Sequence, residues 1–191
     1  MENKNYKILI DCSLNYLEIA IIKDQNIIDV LHKKQDKNLT KILIESVKEI
    51  LKKNHLVKNN INNLYVISGP GSFTSIKLVA IFVNTWKMIF DNIELFEINT
   101  CLWHTIAFKT FSYLDAKSGY WYVQIIDEKI NKDVFICSNA EFIKLKEKYN
   151  KLDYFFNDCN INIDIYSKWE FNKHHFSNVQ QIVPKYLKKP I

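Results

Sequence analysis

Arginine is absent: all 26 basic residues of this 191-residue chain are lysines. Without a guanidinium the chain has no planar fork for gripping phosphate or carboxylate bidentately. It can supply neither an arginine finger nor the commonest contact to guanine, so direct sequence reading of a nucleic acid is not expected. Glycine is almost as scarce, at three residues. After Asp11 none occurs until Gly69, where enzymes that surround phosphates with glycine-rich turns would need several. The four cysteines, Cys12, Cys101, Cys137 and Cys159, are far apart and form no C-x-x-C pair. That leaves no zinc ribbon or disulfide framework, and the thiols are expected to be reduced and mostly buried. The most apolar window, Leu78 to Phe90, is interrupted by Asn84, Thr85 and Lys87 and is too short to span a bilayer as a helix. No membrane association is expected. The opening Met1-Glu2-Asn3-Lys4 carries no targeting signal, so a cytoplasmic location is expected.

What is present suffices for a packed core. A chain of this mass buries roughly 70% of the surface its unfolded form exposes, which needs no structural metal. The net charge is +5. Lysine, asparagine and isoleucine rise together, the bias of an AT-rich coding sequence, which accounts for the basic balance without a nucleic-acid patch. A lysine-rich surface leaves direct tRNA binding as a third reading, which would carry a steep salt dependence.

The periodicity predicts strands at Tyr6 to Asp11, Tyr16 to Ile22 and Asn26 to His32. From Lys37 the period becomes helical, with Leu39, Ile42, Leu43, Val47, Ile50 and Leu51 on one face and charged residues on the other. A polar loop at Asn59 to Asn63 leads to a strand at Leu64 to Ser68, then to Gly69-Pro70-Gly71-Ser72-Phe73-Thr74 and a helix reaching about Phe90. That second helix is apolar around nearly its whole circumference, so its covering requires more than one sheet face; part must come from its own lobe and part from a partner. Further on, the expectations are a strand at Glu94 to Ile98 and a helix capped by Thr100 and running to about Thr110. Strands follow at Tyr113 to Ala116, Gly119 to Asp127 and Asp133 to Cys137, then a helix capped by Asn139 and running to about Tyr149. Short strands are expected at Tyr154 to Phe156 and Asn162 to Tyr166. The order describes two α/β lobes, residues 1–99 and 100–191.

Two of the three glycines flank Pro70, so the corner needs unusual dihedrals or a close backbone approach. Two readings stay open: an anion-binding turn at a helix N-terminus, or a tight turn with Ser72 as cap. The common nucleotide fingerprints fail, because Thr74 stands where the next glycine belongs and no Lys-Ser or Lys-Thr pair follows. The histidines, His32, His55, His104, His174 and His175, form no i, i+4 pair, and Cys101 with His104 supplies too few ligands for a metal. No Ser or Cys is linked by motif to a His and an acid, so a protease reading has no support.

As a string, Gly69-Pro70-Gly71-Ser72-Phe73-Thr74 after a short strand resembles the signature of the TsaB family. The positions that follow, Ser75, Ile76, Lys77, Leu78 and Val79, keep the family's aliphatics and lose its two glycines and its arginine. Three more segments match in order: Ile10-Asp11-Cys12-Ser13, Asp115-Ala116-Lys117-Ser118-Gly119 and Pro184-Lys185-Tyr186-Leu187-Lys188, with lysine wherever the family has arginine. The resemblance implies an actin-like (ASKHA, ribonuclease H-like) α/β fold of two lobes, with mixed sheets flanked by helices. It also implies a non-catalytic subunit that pairs with TsaD through helices of the N-terminal lobe for threonylcarbamoyl transfer to adenosine 37 of ANN-reading tRNAs. TsaE, an ATPase, docks on that pair; ATP and magnesium belong to the complex, none being bound by this chain alone, and tRNA is met indirectly.

On that basis the partner surface is expected to comprise Leu39, Leu43, Ile76, Val79, Ala80, Val83, Trp86 and Lys87, with a possible homodimer in isolation. Asp11 and Ser13 mark a vestigial nucleotide site. The alternative is a small actin-like ATPase or phosphotransferase using Asp11 and the Gly69–Thr74 turn.

Overall fold

A computed structural model of the chain describes residues 5–35, 38–127, 130, 131, 133–156 and 163–185, the side chains of 130, 131 and 154–156 excepted. Its elements run β1 (Tyr6–Asp11), β2 (Tyr16–Lys23), β3 (Asn26–Lys34), α1 (Leu39–Lys53), β4 (Ile61–Ile67), α2 (Phe73–Ile89), β5 (Glu94–Ile98) and α3 (Thr100–Trp103). They continue with β6 (Thr110–Asp115), β7 (Tyr120–Asp127), β8 (Ile130–Asn131), β9 (Phe135–Ser138), α4 (Asn139–Lys148), β10 (Asp153–Phe156), α5 (Ile165–Asn172) and β11 (Ser177–Val179). Two compact units result. Among the described residues the first holds 5–98 and 176–184, and the second holds 99–175 and 185. The expected boundary at 99/100 thus lies one residue from the observed break at 98/99. The expected C-terminal lobe, however, loses 176–184, because β11 pairs antiparallel with β5 in the first unit.

The first unit is built on a six-stranded sheet of order β11-β5-β4-β1-β2-β3. β1 is central and pairs antiparallel with β2 (Ile8 opposite Ile21) and parallel with β4 (Ile8 opposite Leu64). All six of its residues are buried, as a strand covered on both faces requires. Alternation sends Ile8 and Ile10 into one core with Leu17, Ile19, Ile21, Leu64, Val66 and Leu95, while Leu9, Ala20 and Ile22 are buried outside that cluster. Both helices cover the first face. α1 contributes Leu39, Leu43, Val47, Ile50 and Leu51, and α2 contributes Val79, Ala80, Val83 and Trp86.

This packing corrects the expected partner surface. Leu39, Leu43, Ile76, Val79, Ala80, Val83 and Trp86 are buried inside their own unit, and Lys87 is half-buried. An all-apolar helix carries no periodic signal to say which side faces in. The outward side is instead Phe73, Lys77, Ile81, Thr85, Met88 and Ile89. Ile81 is 55%, Met88 82% and Ile89 67% exposed.

The second unit's sheet has the order β10-β6-β7-β8, with β9 also on β7. Phe111, Val123, Ile125, Cys137 and Phe142 form its core, and the Phe142 ring stacks on Trp121 at 4.5 Å between centroids. Ser138 opens α4 with a capping box: its N–H and Oγ donate to Glu141 Oε2 at 2.8 and 2.7 Å. The expected cap, Asn139, is therefore the first helical residue. The helix expected from Thr100 to Thr110 is only α3. Asn99 is its N-cap, accepting from the Leu102 N–H at 2.9 Å. Beyond Trp103 the carbonyls of Trp103 and Thr105 are taken by Asn172 Nδ2 at 3.2 and 2.8 Å, so a long-range partner replaces the helical ladder. The strand expected at Asn162 to Tyr166 is also corrected. Residue 162 lies outside the described residues, whereas Asp164 accepts from the Ser167 N–H at 3.0 Å and starts α5.

Inner and outer α2 side chains of the same type give a direct check. Ile76→Ala is expected to lower the free energy of unfolding by about 2–5 kcal/mol, and Ile81→Ala to change it by no more than about 0.5 kcal/mol. Urea midpoints at unchanged slope measure both.

Candidate functional site

The segment singled out by the sequence forms one junction, where the ends of β1, β3 and β4 meet the start of α2. Ser68 closes β4 by donating its N–H to the Ile98 carbonyl at 2.9 Å. The next residue, Gly69, has φ of +107°, a region that side-chain-bearing residues rarely occupy. Gly71 is required for a different reason: a β-carbon there would overlap the carbonyl oxygen of Ser13. That close approach lets the Ser72 N–H donate to the same Ser13 carbonyl at 2.9 Å. The turn after β1 is thereby fastened to the first residue before α2.

Asp11 is buried at the end of β1. Its Oδ1 accepts from the Ser13 N–H at 2.9 Å and from the Ser13 hydroxyl at 2.7 Å. Asp11 and Ser13 are thus brought together as expected, and their hydrogen-bonding groups serve one another. Ser72 occupies the N-cap position of α2 without a side-chain cap; its hydroxyl lies 2.7 Å from that of Ser75. Both readings of the corner change accordingly. The Ser72 amide that an anion would need already donates to Ser13, and the Ser72 hydroxyl does not cap.

Gln35 is the residue the sequence reading missed. Its Nε2 lies 2.7 Å from the Leu14 carbonyl, 2.9 Å from that of Tyr16 and 3.1 Å from that of Cys12. Its Oε1 accepts from the Ser75 hydroxyl at 2.8 Å. One amide therefore satisfies the turn after β1 and ties it to the first turn of α2. No local pattern announces this, since the partners are 19 to 40 residues away in sequence. Cys12 lies beneath. Burial, helped by the Asp11 charge, pushes its thiol up to about 12, against a smaller lowering by the nearby Ser75 hydroxyl.

Of the other motif segments, Asp115-Ala116-Lys117-Ser118-Gly119 is the turn between β6 and β7. Lys117 and Ser118 have φ of +63° and +54°, and Asp115 holds the Lys117 N–H at 2.7 Å and its Nζ at 2.9 Å. Of Pro184-Lys185-Tyr186-Leu187-Lys188, the last three lie outside the described residues, as does Cys159. Among the described residues no three His, Cys, Asp or Glu side chains are placed to hold a metal ion, and no helix is long and apolar enough to cross a membrane.

The family described as TsaD, tRNA N6-adenosine threonylcarbamoyltransferase, matches the chain over residues 30–148. The chain belongs to this family, as a divergent TsaB-like member. TsaB-like kinship also accounts for what the solved structures resemble. A Pseudomonas aeruginosa protein described as similar to peptidase YeaZ superposes with a TM-score of 0.73 at 11% identity, over 96% of this chain and 100% of that one. YeaZ from Pseudomonas aeruginosa gives 0.68 at 12% identity with the same coverage. At such identities the likeness establishes the fold, the actin-like two-lobed type. Among sequences, the uncharacterized protein MG208 of Mycoplasma genitalium is 29% identical, over 97% of this chain and 96% of its own length. The MG208 homolog of Mycoplasma pneumoniae is 28% identical, with the same coverage.

Two outcomes test the junction. Gly71→Ala must displace the Ser13 carbonyl, and a loss of about 1–3 kcal/mol is expected in chemical denaturation. Stability should also fall at alkaline pH. Burial raises both Cys12 and Cys101 to about 12 in the folded chain, while an unfolded thiol ionises near roughly 8.5. Below that value both states keep the protons and the contribution is complete. As pH rises toward about 12, only the unfolded chain releases them, and the contribution is lost. Denaturation midpoints between neutral pH and pH 11, compared with Cys12→Ala, measure the slope.

Proposed function

We propose that the chain is a non-catalytic subunit that pairs with a TsaD homologue for threonylcarbamoyl transfer to adenosine 37 of ANN-reading tRNAs. A TsaE-type ATPase docks on the pair, ATP and magnesium are used by the complex, and tRNA is met through the partner. One observation carries this reading: the outward side of α2 carries large apolar side chains beside Lys77 and Thr85. Ile81, Met88 and Ile89 stand exposed on a helix whose inner side already fills the core, and grouped apolar side chains rimmed by polar ones mark a docking face. The junction adds support. Asp11, Ser13 and Ser72 satisfy one another, which suits a scaffold better than a phosphate site, where such groups must be available to the ligand.

The partner surface follows from the outward side: Phe73, Lys77, Ile81, Thr85 and Met88. The same side would mediate a homodimer when the partner is missing. Size-exclusion chromatography of the chain mixed with the TsaD homologue from the same genome should give co-elution. Ile81→Asp should weaken the pair at least tenfold at unchanged thermal stability. An Ile81→Asp protein that pairs with undiminished affinity would overturn this surface, and failure of the unaltered chain to pair would overturn the function.

A further inference from the structure

At the end of the first unit where α1 and α2 finish, an open trough of about 560 Å³ is lined by Lys48, Leu51, Lys52, Leu56, Val57, Lys58, Asn59 and Phe90. Its lining divides by chemistry. Leu51, Leu56, Val57 and Phe90 are apolar; Lys48, Lys52 and Lys58 bring three ammonium groups. Val57 is 63% exposed, and with half-buried Leu56 and Phe90 it puts apolar surface in the trough.

The charges around the trough are arranged unevenly. Three other lysines of β3 and α1 are matched: Lys33 with Glu49 at 2.6 Å, Lys41 with Glu45 at 3.8 Å and Lys53 with Asp29 at 2.7 Å. Lys48 and Lys52 have no such carboxylate among the described residues. Lys58 has none either, its ammonium lying 6.0 Å from the centre of the Trp86 ring. An apolar patch is therefore bordered by three cations that no carboxylate among the described residues pairs.

We propose that this trough binds an acidic segment of a partner protein, one that carries a bulky apolar anchor between carboxylates. Volume and chemistry agree. Cavities of roughly 300–1,000 Å³ enclose drug-sized groups, so this one has room for an anchor of one or two side chains. The lysines act as flexible point charges that meet carboxylates without a fixed geometry, and they give orientation and encounter rate while the apolar floor gives residence. Single-stranded RNA fits less well, because its binding is driven by phosphate charge and aromatic stacking and would make no use of Leu56 and Val57. The trough lies beyond the Phe73-to-Met88 side of α2, so its occupancy goes beyond the function proposed above and does not depend on it.

The probe is a synthetic fluorescent peptide, Asp-Glu-Asp-Leu-Phe-Asp-Glu-Asp, titrated with the full chain and read by polarisation. A micromolar Kd is expected. The double variant Lys52→Glu, Lys58→Glu should weaken it at least tenfold and Val57→Asp at least fivefold, while Ile81→Asp leaves it unchanged. The substituted side chains are exposed, and circular dichroism with thermal melting confirms that each variant folds. Failure of the peptide to bind would overturn the proposal. So would equal binding of a peptide with Ser-Ser in place of Leu-Phe, or displacement of the peptide by a ten-nucleotide oligouridylate at lower concentration than the unlabelled peptide. Loss of peptide binding in the trough variants with TsaD pairing intact would separate this site from the α2 surface.

Discussion

A β-carbon at position 71 would overlap the Ser13 carbonyl, and the junction at the start of α2 is organised around that close approach. Removing a side chain at position 71 lets the β1–β2 turn lie directly on the start of α2. Once that contact is made, the Ser72 amide has a partner, Asp11 turns back on Ser13, and Gln35 can span from the turn to Ser75. α2 is then fixed at its N-terminus while its inner side is fixed by the sheet. A helix held in this way presents its remaining side as a rigid surface, which is what a subunit acting by shape must offer.

The same contact decides what the junction does chemically. In a phosphate site, backbone donors at a helix start and a carboxylate at a strand end are left for ligand and metal. Here one oxygen of the Asp11 carboxylate and the Ser72 amide each meet another group of the protein at 2.7–2.9 Å. The arrangement keeps the geometry of an actin-like fold while using its polar groups as fasteners. The junction's hydrogen bonding thus gives a structural use to polar groups of the segment that most resembles a nucleotide loop.

Much of the fold was legible in the sequence. β1 and β5 match their expected limits, and α1 was clear because its apolar residues recur on one narrow face opposite charged ones. What was not legible has identifiable causes. α2 is apolar around most of its circumference, so its pattern has no clear phase, and its residues chosen for the partner surface, Lys87 excepted, proved to be core; Leu39 and Leu43 are core too, on the apolar face of α1. α3 stops after one turn because Asn172, 67 to 69 residues later, claims the carbonyls that follow. β11 is three residues of ordinary polarity that become a strand by pairing with β5. The glycine corner was recognised as special, while its purpose, a close approach to Ser13, needed the partner segment to be seen. Local pattern revealed elements; contacts across long sequence separations determined their ends and their outward sides.

The account rests on α2 facing a neighbour with the side opposite its core. Hydroxyl-radical footprinting of Met88, the most exposed of the outward apolar side chains at 82%, tests this most directly, with oxidation rates measured alone and with a saturating amount of the TsaD homologue from the same genome. The account predicts that the partner suppresses Met88 oxidation several-fold while buried Trp103 stays unreactive in both samples. A Met88 rate that the partner leaves unchanged would contradict it.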